Sequence, residues 1–305
     1  MKRSDRPNIV LIVADDQRFD TIHALGNAEI RTPTLDALAE RGAAFRSTRI
    51  TGGLTPAVCV PSRTCIHTGR HALHASRGRH LNIWPDLMTM NPAAALLPQV
   101  LRDAGYHTFA TGKWHNDKAG FVRSFCGGDK IFFGGMSEHT QVPVYDFDPS
   151  GEYRKENKYI GGRFSTDLFT DAAVRFIRNY EEERPFFLYL AYTAPHDPRT
   201  APAEYRALYR DEDIPLPPNF MGKHPFDNGE MTVRDELLDA FPRQPDTVRR
   251  HIADYYAMIT HMDARIGEVV EALRERGELD NTIIVFTADH GLALGQHGLM
   301  GKQNL

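Results

Sequence analysis

The sequence lacks a dominant charge: 36 lysines and arginines face 40 aspartates and glutamates, for a formal net charge of −4. That balance excludes the basic footprint by which nucleic acid or an anionic membrane surface is bound, so neither is expected as a partner. Long hydrophobic runs are also missing, and none approaches the ~20 apolar residues needed to span a bilayer. The apolar run at Ile9-Val10-Leu11-Ile12-Val13-Ala14 is too short for a secretory leader and ends in two aspartates rather than a small-residue cleavage site. The expectation is a cytoplasmic protein, or a periplasmic or secreted one from which a leader has been removed. Cysteine is scarce: Cys59, Cys65 and Cys126 form no CxxC pair, which argues against a disulfide framework and a structural zinc site. With 41% hydrophobic and 25% charged residues the chain can bury a sizeable core, so disorder is excluded as well. A soluble globular protein is the class that remains, read as one large α/β domain over residues 1–305.

Short β-branched runs alternate with helical patterns along the chain. Strands are expected at 8–14, 107–111, 186–192 and 282–287. Helices are expected at 34–41, 97–104, 164–179 and from about 246 to 276, the last with Ile252, Tyr255, Ile259, Met262, Ile266, Val269 and Leu273 on one stripe. This alternation predicts an α/β fold with a mostly parallel central sheet and helices on both faces. Two stretches break the rhythm and read as irregular excursions. Residues 120–162 are rich in glycine and aromatics without a period, and residues 195–245 hold nine of the 19 prolines.

In an open parallel sheet, sites form beyond the carboxyl ends of the strands. Asp15-Asp16 stands at that end of the first strand, and Asp289-His290 at the same end of the last. Asp15 and Asp16 taken alone read equally well as caps of a turn and a helix start. With the second pair at an equivalent strand end, two acidic clusters would repel unless a cation lay between them. Carboxylate oxygens suit hard divalent ions.

The segment Cys59-Val60-Pro61-Ser62-Arg63 followed by Thr68-Gly69-Arg70 resembles the signature of the formylglycine-dependent sulfatases of the alkaline phosphatase superfamily. Asp15-Asp16, Gly112-Lys113-Trp114-His115, Pro195-His196 and Asp289-His290-Gly291 fall in that family's order, so the resemblance covers almost the whole chain. The Asp-His-Gly loop and its spacing to Lys302 are similar to the iduronate-sulfatase-like branch, which favours sulfated sugars; choline sulfate is the alternative. The resemblance implies that a formylglycine-generating enzyme converts Cys59 to an aldehyde, whose hydrate replaces a soft sulfur with two hard oxygens. One of these attacks the sulfate and the other drives its release. It further implies a metal site of Asp15, Asp16, residue 59, Asp289 and His290 holding one divalent cation, Ca2+ ahead of Mg2+ or Mn2+. Arg63 is expected to steady the hydrated aldehyde and the metal-side charge. Lys113 is expected on the sulfate, His115 on the hydrated aldehyde, His196 as acid for the leaving alcohol and Lys302 as its partner. Cys65 is expected as a small buried residue. His297 is a substrate-side candidate, whereas Arg18, His67, His71 and His74 fit surface or core roles better than the pocket.

The implied activity is hydrolysis of a sulfate monoester on a small sulfated substrate, a sugar sulfate first. A phosphonate monoester hydrolase or phosphodiesterase on the same frame, and a metal-binding chain without turnover, are the alternatives. Two departures from the family pattern stand out. His290 occupies a position where many relatives carry Asn. The sequence stops three residues after Lys302, so the C-terminal small-sheet subdomain of such enzymes is expected to be missing.

Overall fold

Strict alternation of apolar side chains sends each central strand's residues to two separate cores. In the computed structural model, which describes residues 6–51, 58–76, 90–227 and 229–303, the first strand, β1, spans Asn8–Ala14. It is followed by the helices α1 (Pro33–Arg41), α2 (Cys59–Thr68), the single turn α3 (Ala72–Ala75) and α4 (Leu97–Asp103). Next come β2 (His107–Lys113), α5 (Lys118–Ser124), β3 (Gly127–Phe132) and the two-residue strands β4 (Pro143–Val144) and β5 (Tyr159–Ile160). The helix α6 (Ser165–Asn179), strand β6 (Phe186–Ala191), short α7 (Ala203–Arg206), long α8 (Pro245–Glu275) and β7 (Thr282–Ala288) complete the order.

Five of the strands form one sheet in the order β3-β2-β6-β1-β7, with every pairing parallel. Val10, Ile12, Leu188 and Leu190 face a core shared with α6, α8 and Leu35 of α1. Leu11, Val13, Phe187 and Tyr189 face the opposite core, closed by Trp114, Phe121 of α5, Leu101 of α4 and Ile66 of α2. The predicted parallel sheet with helices on both faces is therefore the observed one. Because all strands run the same way, β1, β2, β6 and β7 deliver Asp15, Lys113, His196 and Asp289 to one edge.

Two segments differ from the sequence-based expectation. Residues 120–162 are partly regular, since α5 and β3 lie within or against them and β4 and β5 pair antiparallel. The strand β3 escapes notice because it begins Gly127-Gly128 at the sheet edge, half-buried on both faces, so no period of two is imposed on it. The signature segment forms the helix α2, although Pro61 stands in its first turn. Proline is tolerated there because first-turn N–H groups lack an intrahelical acceptor.

Gly112 fixes the turn of β2 toward the site. Its φ is +92°, the β2–β3 register shifts between Ala110 and Gly112, and a Cβ built there would lie 1.8 Å from the Ala191 carbonyl oxygen. Backbone overlap of that kind has no flexible neighbour to absorb it. Gly112→Ala is expected to destabilise the fold by about 3 kcal/mol, from left-handed strain plus overpacking. Urea unfolding measures it; a variant as stable as the wild type would show that β2 does not need this bulge.

Candidate active site

The site is built where charge has been driven into the interior. Asp15, Asp16, Asp289, Arg63 and Lys113 are fully buried, and Cys59, His115, His196, His290 and Lys302 are each under a tenth exposed. All ten residues anticipated from the sequence meet at the carboxyl edge of the sheet. Hydrogen-bonded neighbours β1 and β7 place Asp15 beside Asp289, whose Oδ1 accepts from the backbone N–H of Asp16 and of His290, each at 3.0 Å.

Cys59 opens α2, so the positive end of the helix faces the carboxylates. One α-helical turn later, Arg63 reaches back over them. Its Nε lies 3.0 Å from Asp289 Oδ2, its Nη2 3.5 Å from Asp15 Oδ1, and its Nη1 donates to the Lys113 carbonyl at 3.0 Å. Ser62 Oγ donates to the Asp289 carbonyl, a second tie between α2 and the end of β7. Arg63 thus bonds the carboxylates rather than the sulfur of residue 59, which places it on the acidic side of the expected role.

The lysines divide the acidic groups between them. Lys113 Nζ pairs with Asp15 Oδ2. Lys302 Nζ lies 2.8 and 3.0 Å from the two oxygens of Asp16 and 3.4 Å from Cys59 Sγ. His290 Nε2 is 3.2 Å from Cys59 Sγ, and its Nδ1 is 3.2 Å from Asp16 Oδ1. His196 also brings a ring nitrogen within 4.8 Å of the thiol sulfur. Burial would raise the Cys59 thiol, but Lys113, Lys302 and His290 outweigh it and hold it well below its ordinary range. Burial likewise raises Asp15, yet Lys113 and Arg63 bring it down below the usual carboxylate range. Asp289 goes the other way: burial and the neighbouring Asp15 charge push it up to about 7.

Backbone strain marks the same place. Asp16 and His115 adopt left-handed φ values of 68° and 50°, uncommon for non-glycine residues. The strain at Asp16 is held by Tyr255 of α8, whose hydroxyl donates to the Asp16 carbonyl and accepts from the Arg18 N–H at 2.8 Å.

Several supporting residues carry no local signal in the sequence. His196 Nδ1 donates to the Asp197 carbonyl at 2.8 Å, and the Asp197 carboxylate is held by Arg234. Glu236, fully buried against Arg243 at 2.7 Å, accepts from the N–H groups of Met300 and Gly301 at 2.9 and 3.0 Å. The proline-rich excursion of 195–245 therefore supports the loop that carries Lys302. Only the position of Asp197 next to His196 hinted at any of this.

Other candidates fall outside the cluster. Arg18 is committed to Asp20 and to the Leu292 and Ala293 carbonyls. His297 Nε2 sits 2.9 Å from the side-chain nitrogen of Asn219. His71 caps α3 and His74 is exposed. Cys65 is half-buried beside Thr51 rather than buried, because the outer face of α2 is only partly covered.

His67 is a core residue, 4.5 Å from the Trp114 ring and 4.9 Å from that of Tyr189. Burial, then the Arg63 charge, lowers it from 6.5 to about 3. The unfolded chain thus binds a proton that the folded chain refuses, so stability is intact above pH 6.5 and falls as the pH drops toward 3. The slope is about 1.4 kcal/mol per pH unit. Between pH 7 and pH 5 the wild type should lose about 2 kcal/mol more than His67→Leu, read by urea unfolding at both values. Equal losses would mean that His67 titrates normally.

The sulfatase family model matches residues 7–304. An N-acetylglucosamine-6-O-sulfatase of Bacteroides thetaiotaomicron is 27% identical over 99% of this chain and 61% of its own length. The chain spans about three fifths of the length of the first curated relatives it matches. Among solved structures, a protein in complex with its substrate D-glucosamine-2-N,6-O-disulfate superposes with a TM-score of 0.74 at 22% identity, covering 98% of this chain and 68% of its own. The phosphonate monoester hydrolase of Agrobacterium radiobacter superposes with a TM-score of 0.69 at 21% identity, covering 97% and 65%. Both share the fold. With the family model running from the start of β1 to the loop of Lys302, the chain belongs to the sulfatase family.

Proposed function

We propose that this chain forms the core of a sulfuric ester hydrolase that cleaves a sulfate monoester from a carbohydrate. One observation carries the reading: carboxylates and cations converge together on residue 59 at the start of α2. A site for transferring an anionic group needs both, the first to hold a metal and the second to hold the anion. The N-acetylglucosamine-6-O-sulfatase relative supports a sugar sulfate as substrate.

Asp15, Asp16, Asp289 and His290 would hold one divalent cation, Ca2+ ahead of Mg2+ or Mn2+, together with an oxygen on residue 59. Two features fit such an ion. Asp15 Oδ1 is buried with no hydrogen-bond partner among the described residues, and Asp289 is raised by burial and by Asp15, a repulsion that an interposed cation relieves. Asp15, residue 59, Asp289 and His290 bring their ligand atoms within 4.8 Å of one another. The bound ion supplies neutralisation of sulfate charge, and formylglycine at position 59 supplies a hard oxygen nucleophile where a thiol would not serve.

The chain's own residues supply the remaining tasks. Lys113 and Lys302 bind sulfate oxygens, exchanging part of their pairing with Asp15 and Asp16. His115, lowered to about 4 by burial and Lys113, is neutral at pH 7 and accepts a proton from residue 59. His196 has Nδ1 committed to the Asp197 carbonyl, which leaves Nε2 to face the ester. Burial alone would lower it, and the Asp16 charge raises it; a proton on Nε2 would serve the departing alcohol. Arg234 keeps Asp197, and through it the His196 ring, in place.

Co-expression with a formylglycine-generating enzyme, followed by peptide mass spectrometry, should find the aldehyde at Cys59 and not at Cys65 or Cys126. The modified protein should hydrolyse an aryl sulfate faster than an aryl phosphonate; the reverse order would favour the phosphonate hydrolase reading. His196→Ala should slow a sugar sulfate by ~10²–10⁴-fold and an activated aryl sulfate much less, because only the poor leaving group needs the proton. Equal losses on both would remove His196 as the acid, and high sulfatase activity with an unmodified Cys59 would remove the nucleophile.

A further inference from the structure

Arg199 is a cation with no ion-pair partner among the described residues. It lies three residues beyond His196 on the same loop, half-buried, and its one hydrogen bond among the described residues runs from Nη1 to Nδ1 of His251 at 3.0 Å. That ring is neutral: burial and the Arg199 charge lower it to about 4. Asp197, Asp16 and Asp254 lie in electrostatic reach of Arg199. Each has another partner: Arg234 for Asp197, Lys302 for Asp16 and Arg206 for Asp254.

The nitrogens left over are the informative ones. Nε and Nη2 of Arg199 are shielded from solvent and have no hydrogen-bond partner among the described residues. Together they form the side-on edge of the guanidinium, whose two parallel N–H bonds match a carboxylate or sulfate. Gln17 repeats the pattern. It is 4% exposed, and both its side-chain oxygen and nitrogen are buried without a hydrogen-bond partner among the described residues.

One helix organises both residues. His251 and Tyr255 stand one turn apart on α8, on the same face. His251 holds the Arg199 guanidinium, while the Tyr255 hydroxyl bonds the backbone on either side of Gln17. Arg199 thus stands in electrostatic reach of Asp16 and of Tyr255, the residue that ties down the backbone flanking Gln17. Leaving buried donors unmade costs stability, and such groups persist where a ligand completes them.

We propose that Arg199, together with Gln17, binds a second anionic group, a sulfate or a carboxylate, on the sugar whose sulfate ester is cleaved at residue 59. This rests on the sulfatase reading and narrows it to substrates with at least two negative charges. Arg199 receives one pair of anionic oxygens on its free edge, and the Gln17 amide nitrogen donates to the same group or to an adjacent hydroxyl. A quaternary ammonium alcohol such as choline would meet a like charge at this position and is disfavoured.

The test is calorimetric titration of the protein with unmodified Cys59, in saturating Ca2+, so that no turnover intervenes. The ligands are N-acetylglucosamine 6-sulfate, glucosamine 2-N,6-O-disulfate, glucuronate 2-sulfate and choline sulfate. At least one doubly charged sugar should bind ten-fold or more tightly than the monosulfated one, with choline sulfate weakest. The better of the two doubly charged sugars identifies the group as sulfate or carboxylate. In Arg199→Gln the ratio of doubly to singly charged affinity should fall to near one, and Arg199→Lys should keep part of it. The thermal midpoint of Arg199→Met should stay close to that of the wild type, because the charge has no ion-pair partner among the described residues and the variant loses only the hydrogen bond to His251. Equal affinities in the wild type, a preference that survives Arg199→Gln, or a clear drop in the Arg199→Met midpoint would each overturn the site. Binding of the monosulfated sugar without a preference overturns the Arg199 site alone, whereas no binding of any sulfate ester overturns the sulfatase reading with it.

Discussion

Three aspartates buried at one point are the constraint around which the rest of this molecule is arranged. Asp15 and Asp289 leave neighbouring parallel strands side by side, and Asp16 follows on a strained backbone. Parallel pairing makes this crowding unavoidable, because every strand ends at the same edge. Unscreened, three carboxylates in a dry interior would repel strongly enough to oppose folding. The chain answers with three buried cations. Arg63 bridges Asp289 and Asp15, Lys113 takes Asp15, and Lys302 takes Asp16.

Each cation arrives on a different element, so charge neutralisation also fixes the packing. Arg63 pins α2 to the strand ends, and with it residue 59 at the helix start. Lys113 is aimed by the Gly112 bulge of β2. Lys302 depends on a loop that Glu236 and Arg243 hold from the proline-rich excursion. The excursion is therefore part of the site's support, not a surface ornament. The same arrangement explains the reactivity expected at residue 59, since cations that offset three carboxylates also attract an incoming sulfate.

The sheet was legible in the sequence because its central strands are buried on both faces and flanked by helices of clear period. The acidic strand ends, the histidines and the signature segment were legible because each sits at a fixed place in a short motif. What escaped was everything that depends on long-range pairing. Nothing local to Asp16 announces Lys302, and nothing near His196 announces Arg234. The helix α2 was hidden by its polar composition and by Pro61, and β3 by its glycines at an edge. Arg199 looked like any loop arginine until its surrounding carboxylates proved to be taken.

The central claim is that the buried carboxylates are gathered to hold a cation against residue 59. Crystals of the protein soaked in Mn2+ and measured near the manganese absorption edge test it directly. The account predicts an anomalous peak bounded by Asp15, Asp16, Asp289 and His290, lost in Asp289→Ala crystals soaked in the same way. A difference map with no peak there, or a peak unchanged by Asp289→Ala, would contradict it.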